Sequence, residues 1–544
     1  MNVGILVNNS KQSSFETYEI CKQCIENKNL KKFYVFELEG KQLKKKDRLF
    51  LYFKRGLPWF LRSVSLAFIG KIECIIAKKY SKYNHFLEKY DLTLLNTKKI
   101  DFITLNILFS PSGYVTWISK ENAQFLKKLN LEFLINRGGG IWKGDILNCT
   151  KKGIISFHHA DNYDNRGGPP GFWEVFYKSD LTGFIIQRLN EKLDNGEVLS
   201  KGYTGTERFW KNNNLKSRNA ALREAKRFFE KTLNGEKIEN KRKDFGIYSR
   251  RLYQTPLLSE IFIYALSKVM FIVKKSFLVL IRKKPKWETM FLRTTNWKNF
   301  ELRKGIKIPS RKNRFLADPN VAKINGKYFI FVEDCDIYSE KAEITCFEIG
   351  QDMKSVKKIG CAINEKYHVS FPFTFRFKNK LYMSVESSSN NTVNIYCNKG
   401  NPLNWEIVSQ YEFDSKIPID PVIFKFNSKW WIIFGESSSR NEMYIYYSDD
   451  PIFGEWKSHK KNPVVISSEY YRNAGLIIDG NNLYRISQQS GFNNYGKSIR
   501  IMQIKEIKEE SFCEIKVEHI SPHFHRAIKG GHTLSKVDEF VVFD

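Results

Sequence analysis

Five times between residues 318 and 543 the chain repeats one pattern: a polar opening, an apolar run, a polar turn and a second apolar run. The copies are 318–333, 371–386, 420–436, 473–488 and 532–543. Their spacing of roughly 50 residues is the regime of propellers and stacked arrays, in which one unit cannot bury its own apolar face. Each copy reads as strand, turn, strand, so five blades of antiparallel sheet around a channel are predicted. The last copy is short and has to borrow strands from 287–300 to close the ring. Polar residues that open each copy would line the channel, and Asp318, Glu386 and Asp420 are acidic residues at equivalent edges of different blades. Converging carboxylates can cleave glycosides or bind sugar hydroxyls. Asp-Pro and Glu at fixed offsets also stabilise blade corners. Binding is the expectation, because the sequence brings no two of them to catalytic separation.

At 544 residues the chain exceeds one ordinary core. The period changes along it, and the predicted parts are a domain over 1–245, a helical linker over 246–286 and the propeller over 287–544. The first part alternates strand-like and helix-like segments. Strands are predicted at 2–8, 131–137, 153–157 and from Thr182, with helices at 14–27, 59–78, 145–150, 170–177 and 215–234. The last of these reads as a charged surface helix. Such alternation implies an α/β domain with a mainly parallel sheet, whose ligands collect at the carboxyl ends of strands.

The linker holds the most apolar stretch, 257–281. Glu260, Tyr264, Ser267, Lys268, Lys274 and Lys275 fall on one side of a helical projection, and the rest is almost wholly apolar. Four charges argue against a membrane span. Two readings stand: the helix lies in an anionic bilayer surface by way of 257–286, or it packs between domains or copies. The formal net charge of +31 favours anionic partners, although lysine is also used throughout the chain as a solvating residue. No recognised nucleic-acid module accompanies the charge, so no nucleic-acid partner is expected. Nine cysteines form no framework, and Cys21-x-x-Cys24 lacks a second pair, so no metal site is predicted. The first ten residues carry no basic region and read as a strand. A reducing, cytoplasmic setting is expected, peripheral at the inner membrane face if the bilayer reading holds.

The stretch Gly153 to Trp173 carries the chemistry. An apolar strand delivers His158 and His159 into a loop of Asp, Asn, Gly and Pro that ends Arg166-Gly167-Gly168-Pro169-Pro170. A second strand, Thr182-Gly183 onward, leads to Leu193-Asp194-Asn195-Gly196. Together these resemble the catalytic core of formyltetrahydrofolate-dependent formyltransferases, which carry Asn-x-His on a strand, a loop ending Arg-Gly-x-x-Pro, and a Thr-Gly strand leading to Leu-Asp-x-Gly. The resemblance covers roughly residues 95 to 205. One position departs from it: the family's catalytic Asn falls on Ser156.

The resemblance implies a folate-dependent formyl transfer, with N10-formyltetrahydrofolate as donor. His158 would donate to the developing oxyanion, Asp194 would orient the imidazole and help accept the amine proton, and Ser156 would supply a hydroxyl donor. Asn136, Arg137 and Gly138 would border the folate pocket. His159, Arg166, Pro170 and Trp173 would contact substrate or shape the loop, with Arg166 held by a carboxylate. The C-terminal half, through Phe315–Pro319, His368–Pro372, Ser384–Ser389, Ile419–Pro421 and Gly531–Thr533, resembles the propellers of certain glycoside hydrolases. It is still more similar to the N-terminal propeller of glucosamine inositolphosphorylceramide transferases. That implies a carbohydrate or glycolipid setting. The expected substrate is an amino sugar, nucleotide- or lipid-linked, in cell-surface polysaccharide biosynthesis. The alternative is a glycan-binding or glycosyl-transferring protein whose first domain does not use folate.

Overall fold

The apolar run after Met1 forms strand β1, Asn2–Val7, whose Val3, Ile5 and Leu6 are wholly buried, as a strand covered on both faces must be. The computed structural model describes residues 1–40, 56–95, 97–110, 113–191, 196–236, 247–280, 286–387, 389–492, 494–525 and 528–544. They divide into two compact units, Met1–Lys274 and Lys275–Asp544, with the division inside the predicted linker.

In the first unit β1 is joined by β2 (Lys32–Glu39), β3 (Ile100–Phe109), β4 (Val115–Ile118), β5 (Leu131–Arg137), β6 (Ile141–Trp142), β7 (Ile154–His158), β8 (Leu181–Arg188) and β9 (Glu197–Gly205). The sheet order is β9-β8-β7-β5-β1-β2-β3-β4-β6. The centre, β7-β5-β1-β2-β3, is parallel throughout, whereas β8 and β9 run antiparallel at one edge. The chain therefore folds as an α/β domain with a mainly parallel sheet. Its helices are α1 (Phe15–Glu26), α2 (Leu57–Tyr80), α3 (Lys120–Lys128), α4 (Phe172–Phe176), α5 (Trp210–Leu233) and the part to Lys274 of α6 (Leu258–Leu280). Ser14 and Ser119 start α1 and α3 by accepting main-chain N–H groups with their hydroxyls.

One expectation changes, and one left open is decided in part. Helix α5 is not a surface helix: Leu215, Ala225, Phe228 and Phe229 are buried, and Phe229 stacks on Phe133 at 5.4 Å. Its many charges conceal a continuous small and apolar face. Helix α6 is turned the other way from an ordinary amphipathic helix. Within its own unit the edge carrying Tyr264 packs inward, and Ile261 and Tyr264 are its only buried residues. The Tyr264 hydroxyl donates to Glu73 Oε1 at 2.5 Å and accepts the N–H of Trp210 at 2.9 Å.

The second unit is a five-bladed propeller. Four blades span 314–363, 370–411, 418–466 and 472–520. The fifth combines Ile306–Lys307 and Met290–Arg293 with Phe540–Phe543 and Leu534–Val537. Met290 pairs with Phe543 and Arg293 with Phe540, so the last copy is completed by strands from the start of the unit. The opening strand of four blades breaks register at 317/320, 370/373, 419/422 and 473/475. A residue with positive φ sits in each break: Asp318 (47°), Phe371 (50°), Asp420 (50°) and Gly475 (131°). A bulge of this kind re-aims a side chain out of the pleat. It explains physically why two of the repeats open on Asp-Pro, at 318–319 and 420–421.

Candidate functional site

Strands β5 and β7 pair in parallel with Asn136 opposite Ser156, near the carboxyl ends of both. Asn136 Nδ2 donates to Ser156 Oγ at 3.3 Å, and its Oδ1 accepts the indole N–H of Trp142 at 3.0 Å. The indole can only donate, so it fixes the carboxamide with oxygen toward Trp142 and NH2 toward Ser156. His158 lies two residues beyond Ser156, on the same face of the strand. Its Nε2 is 3.0 Å from the carbonyl oxygen of Asn165. A carbonyl only accepts, so Nε2 carries the hydrogen of this bond. The structure thus brings Asn136, Ser156 and His158 together. Asp194 lies outside the described residues.

The loop after His158 is held by buried polar contacts. Asn165 Nδ2 donates to Glu174 Oε1 at 3.0 Å, and burial raises the Glu174 carboxyl above its usual range. Asp161 is 2.6 Å from Lys201 Nζ and accepts from Tyr203 at 2.7 Å. Gly183 is required beside it, since a Cβ there would lie 2.7 Å from the Asp161 nitrogen. Arg166 donates from Nε to the Asn162 carbonyl at 2.8 Å, and its guanidinium lies 4.4 Å from the Tyr248 ring centre. Gly167 has φ +98°, and a Cβ there would lie 2.1 Å from the Tyr253 carbonyl oxygen. Pro170 accepts the Trp210 indole N–H at 2.9 Å, and Trp173 is buried with its indole donating to the Gly168 carbonyl at 3.1 Å. Pro170 and Trp173 form the base of the loop. Gly138 lets the main chain pass Asn8, whose nitrogen would be 2.8 Å from an added Cβ.

Alternation along the strands puts a second group on the opposite face. Arg137 lies 5.3 Å from the Phe157 ring centre and 3.6 Å from Glu16, which Arg218 grips through two contacts of 2.5 and 2.6 Å. Burial would raise the Glu16 carboxyl, but the Arg218 bonds and the Arg137 charge hold it at about 2. Burial, with Arg137 and Arg218 close by, pushes His159 down to about 3, so its imidazole is neutral. His159 Nδ1 is buried without a hydrogen-bond partner among the described residues, as are Asn162 Oδ1 and Asn165 Oδ1. Arg137 and His159 therefore belong to a different environment from Asn136, Ser156 and His158. Reading the sequence missed Glu16, Arg218 and Glu174. Some 200 positions separate Glu16 from Arg218, and no local spacing signals their meeting.

In the propeller a cavity of about 230 Å³ is lined by Asp318, Glu333, Glu386, Arg472, His532 and aromatic rings, among them Trp287 and Tyr495. Trp287 stacks on His532 with ring centres 3.9 Å apart. Asp318 and Glu386 line the cavity itself. Asp420 supports it from behind, accepting Arg472 at 2.8 Å and donating its main-chain N–H to Glu386 at 2.8 Å. Burial and the neighbouring Asp420 lift Glu386 to about 8, and burial beside Asp318 raises Glu333 well above the carboxylate range. Burial opposes charge on His532, but Asp544 at 2.8 Å and Asp318 at 3.3 Å outweigh it and raise its pKa. Among the described residues, two groups have donor atoms close enough for a cation: Asp318–His532–Asp544, and Glu333–Cys335–His368. The first is already bridged internally by the imidazole.

Residues 305–534 match the family described as glucosamine inositolphosphorylceramide transferase 1, N-terminal. Glucosamine inositolphosphorylceramide transferase 1 of Arabidopsis thaliana is 30% identical over 215 residues, 38% of this chain and 27% of that protein. The enzyme of the same name from Oryza sativa subsp. japonica is 26% identical over 213 residues, 38% of this chain and 28% of that one. A methionyl-tRNA formyltransferase of Gloeothece citriformis is 33% identical over 89 residues, 16% of this chain and 27% of that enzyme. The chain thus spans little more than a quarter of the length of these curated relatives. Among solved structures, a family 117 glycoside hydrolase from Zobellia galactanivorans matches with 15% identity and TM-score 0.32, covering 47% of this chain and 90% of that one. A thermostable family-43 glycoside hydrolase matches with 13% identity and TM-score 0.31, covering 38% and 77%. Among the described residues no helix is long and apolar enough to cross a membrane.

Proposed function

We propose that the first unit transfers a formyl group from N10-formyltetrahydrofolate to the amine of an amino sugar, nucleotide- or lipid-linked, and that the propeller holds the glycan. The observation that carries this is the row Asn136–Ser156–His158 at the carboxyl ends of two parallel strands, where an α/β sheet binds ligands. The likeness to a methionyl-tRNA formyltransferase over 89 residues supports it.

The donor's pterin fits the chemistry of the loop. Asn162 and Asn165 offer buried carboxamide oxygens without partners among the described residues, and a pterin's amino and ring N–H groups need such acceptors. When bound, the folate supplies the formyl carbon. The chain's own residues supply the rest. Acyl transfer to an amine needs a hydrogen-bond donor for the acyl oxygen as it gains charge, and a base for the amine proton. Asn136, oriented by Trp142, presents its NH2 beside Ser156 and restores the carboxamide that residue 156 itself does not provide. His158, held by its Nε2–H bond to the Asn165 carbonyl, takes the amine proton as the new carbon–nitrogen bond forms and returns it to the donor nitrogen that departs when the old one breaks. The loop from Asn162 to Trp173 borders these strand ends.

The propeller cavity has the carboxyls, guanidinium and stacked aromatic rings that bind sugar hydroxyls and ring faces, and the similarity to glucosamine inositolphosphorylceramide transferases favours a glycan or glycolipid there. The same observation favours a second reading, in which glycan binding is the whole activity and folate is not used. Formate incorporation from labelled formyltetrahydrofolate into a panel of amino-sugar nucleotides, with His158→Ala as control, separates the two. Transfer that disappears in the variant supports the proposal. No transfer and no binding of a folate analogue by calorimetry overturns it.

A further inference from the structure

Because α6 buries its tyrosine edge, its apolar residues face outward. Phe262, Val269, Met270 and Val273 are exposed, Phe262 and Met270 by about two thirds of their surface. Helix α2 does the same: Leu61, Val64, Phe68, Ile72 and Ile75 are exposed and recur every three or four residues, so they form one stripe. Single exposed apolar side chains are ordinary, but two full-length stripes are not. The two helices are tied to each other. Tyr264 donates to Glu73, and Arg62 donates to the carbonyls of Thr255 and Pro256 at 2.7 and 3.2 Å.

Charge identifies what covers them. From Leu57 to Tyr80 and from Leu258 to Lys274 the exposed charged residues are Lys71, Lys78, Lys79 and Lys274. The two carboxylates of these segments are turned away. Glu73 is buried against Tyr264 and the Lys211 N–H, and Glu260 pairs with Arg251 at 2.9 Å. We propose that α2 and α6 form a docking surface for an anionic lipid bilayer, lying in the plane of its interface with apolar residues among the acyl chains and lysines at the headgroups. Apolar stripes on helices whose own exposed charges are all lysines are what such an interface binds. A second copy meeting this face by two-fold symmetry would set the same lysines against one another. The inference stands whether or not the first unit transfers formyl groups.

The test is co-sedimentation of the full-length protein with vesicles of equal parts phosphatidylcholine and phosphatidylglycerol, and with phosphatidylcholine alone. Two variants are compared: Phe68→Ser/Phe262→Ser/Met270→Ser, all at exposed positions, and Lys71→Glu/Lys274→Glu, which leaves the apolar residues in place. The wild type should partition into the anionic vesicles several-fold more than into the neutral ones. The apolar variant should lose roughly tenfold or more, and the charge variant roughly tenfold, with a steeper loss at low salt than at high salt. Equal partitioning of wild type and both variants overturns the proposal, as does indifference to phosphatidylglycerol. A dimer in gel filtration that the apolar variant dissociates would assign the face to a second copy and overturn it as well.

Discussion

At the residue scale the first site depends on fixed orientation. Asn136 is useful as a donor only because Trp142 holds its oxygen, so the amide hydrogens face the strand ends. Asn136→Ala should lower kcat by about 10²–10³ with little change in KM, the usual cost of one donor to a charge-gaining oxygen, measured as steady-state formate transfer. Histidines 158 and 159 stand side by side in sequence yet do different work. One gives its Nε2–H to a carbonyl, and the other is kept neutral by burial among cations. In the propeller, Glu386, Glu333 and His532 all titrate above their ordinary values. Each holds a proton in the folded protein that the unfolded chain releases at lower pH. Their stabilisation is therefore complete below the unfolded carboxyl value of 4.5 and declines as pH rises through about 8. The thermal midpoint of the propeller should fall between pH 5 and 9, and Glu386→Gln should flatten that fall. An equally steep profile in the variant would place the proton elsewhere.

At the element scale, the loop after β7 is built by its neighbours more than by itself. Gly167 has a backbone geometry that a side chain resists, and the segment carrying Tyr253 passes within bonding distance: Gly168 N–H donates to the Tyr253 carbonyl at 3.1 Å, and Tyr253 N–H to the Arg166 carbonyl at 2.9 Å. Gly167→Ala should cost about 1–3 kcal/mol in urea unfolding and weaken folate-analogue binding more than it weakens stability, since the loop shifts before the sheet melts. Helix α6 shows a parallel dependence. Its amphipathic pattern is plain in the sequence, but the side that packs inward is set by one hydroxyl shared between Glu73 and the Trp210 N–H. Tyr264→Phe leaves the buried Glu73, already raised in pKa by burial, without that donor, and should destabilise the first unit by about 1–3 kcal/mol in the same measurement.

At the scale of the whole molecule, ring closure decides the propeller. Phe540–Phe543 pairs with Met290–Arg293, and Asp544 behind it receives the His532 ring and the Asp318 N–H. Removing residues 538–544 should open the fifth blade, remove the cooperative unfolding transition of the second unit in calorimetry, and abolish glycan binding. How much of this was legible beforehand follows from the range of the forces involved. Alternation of apolar residues, glycine and proline at turns, and a repeat near 50 residues are local properties, and local backbone preference with burial on one face is enough to turn them into a parallel sheet and five blades. The strand ends bearing Ser156 and His158, and the bulged Asp318 and Asp420, could be located for the same reason. What the chain alone left undecided was every relation resting on a distant partner: Asn136 beside Ser156, Arg218 on Glu16, the exposed face of α6, and Asp420 set behind the cavity that Asp318 and Glu386 line. Those depend on which side chains meet after the backbone has crossed the sheet or closed the ring, and the Coulomb, hydrogen-bond and burial energies that choose among them exist only at contact distance.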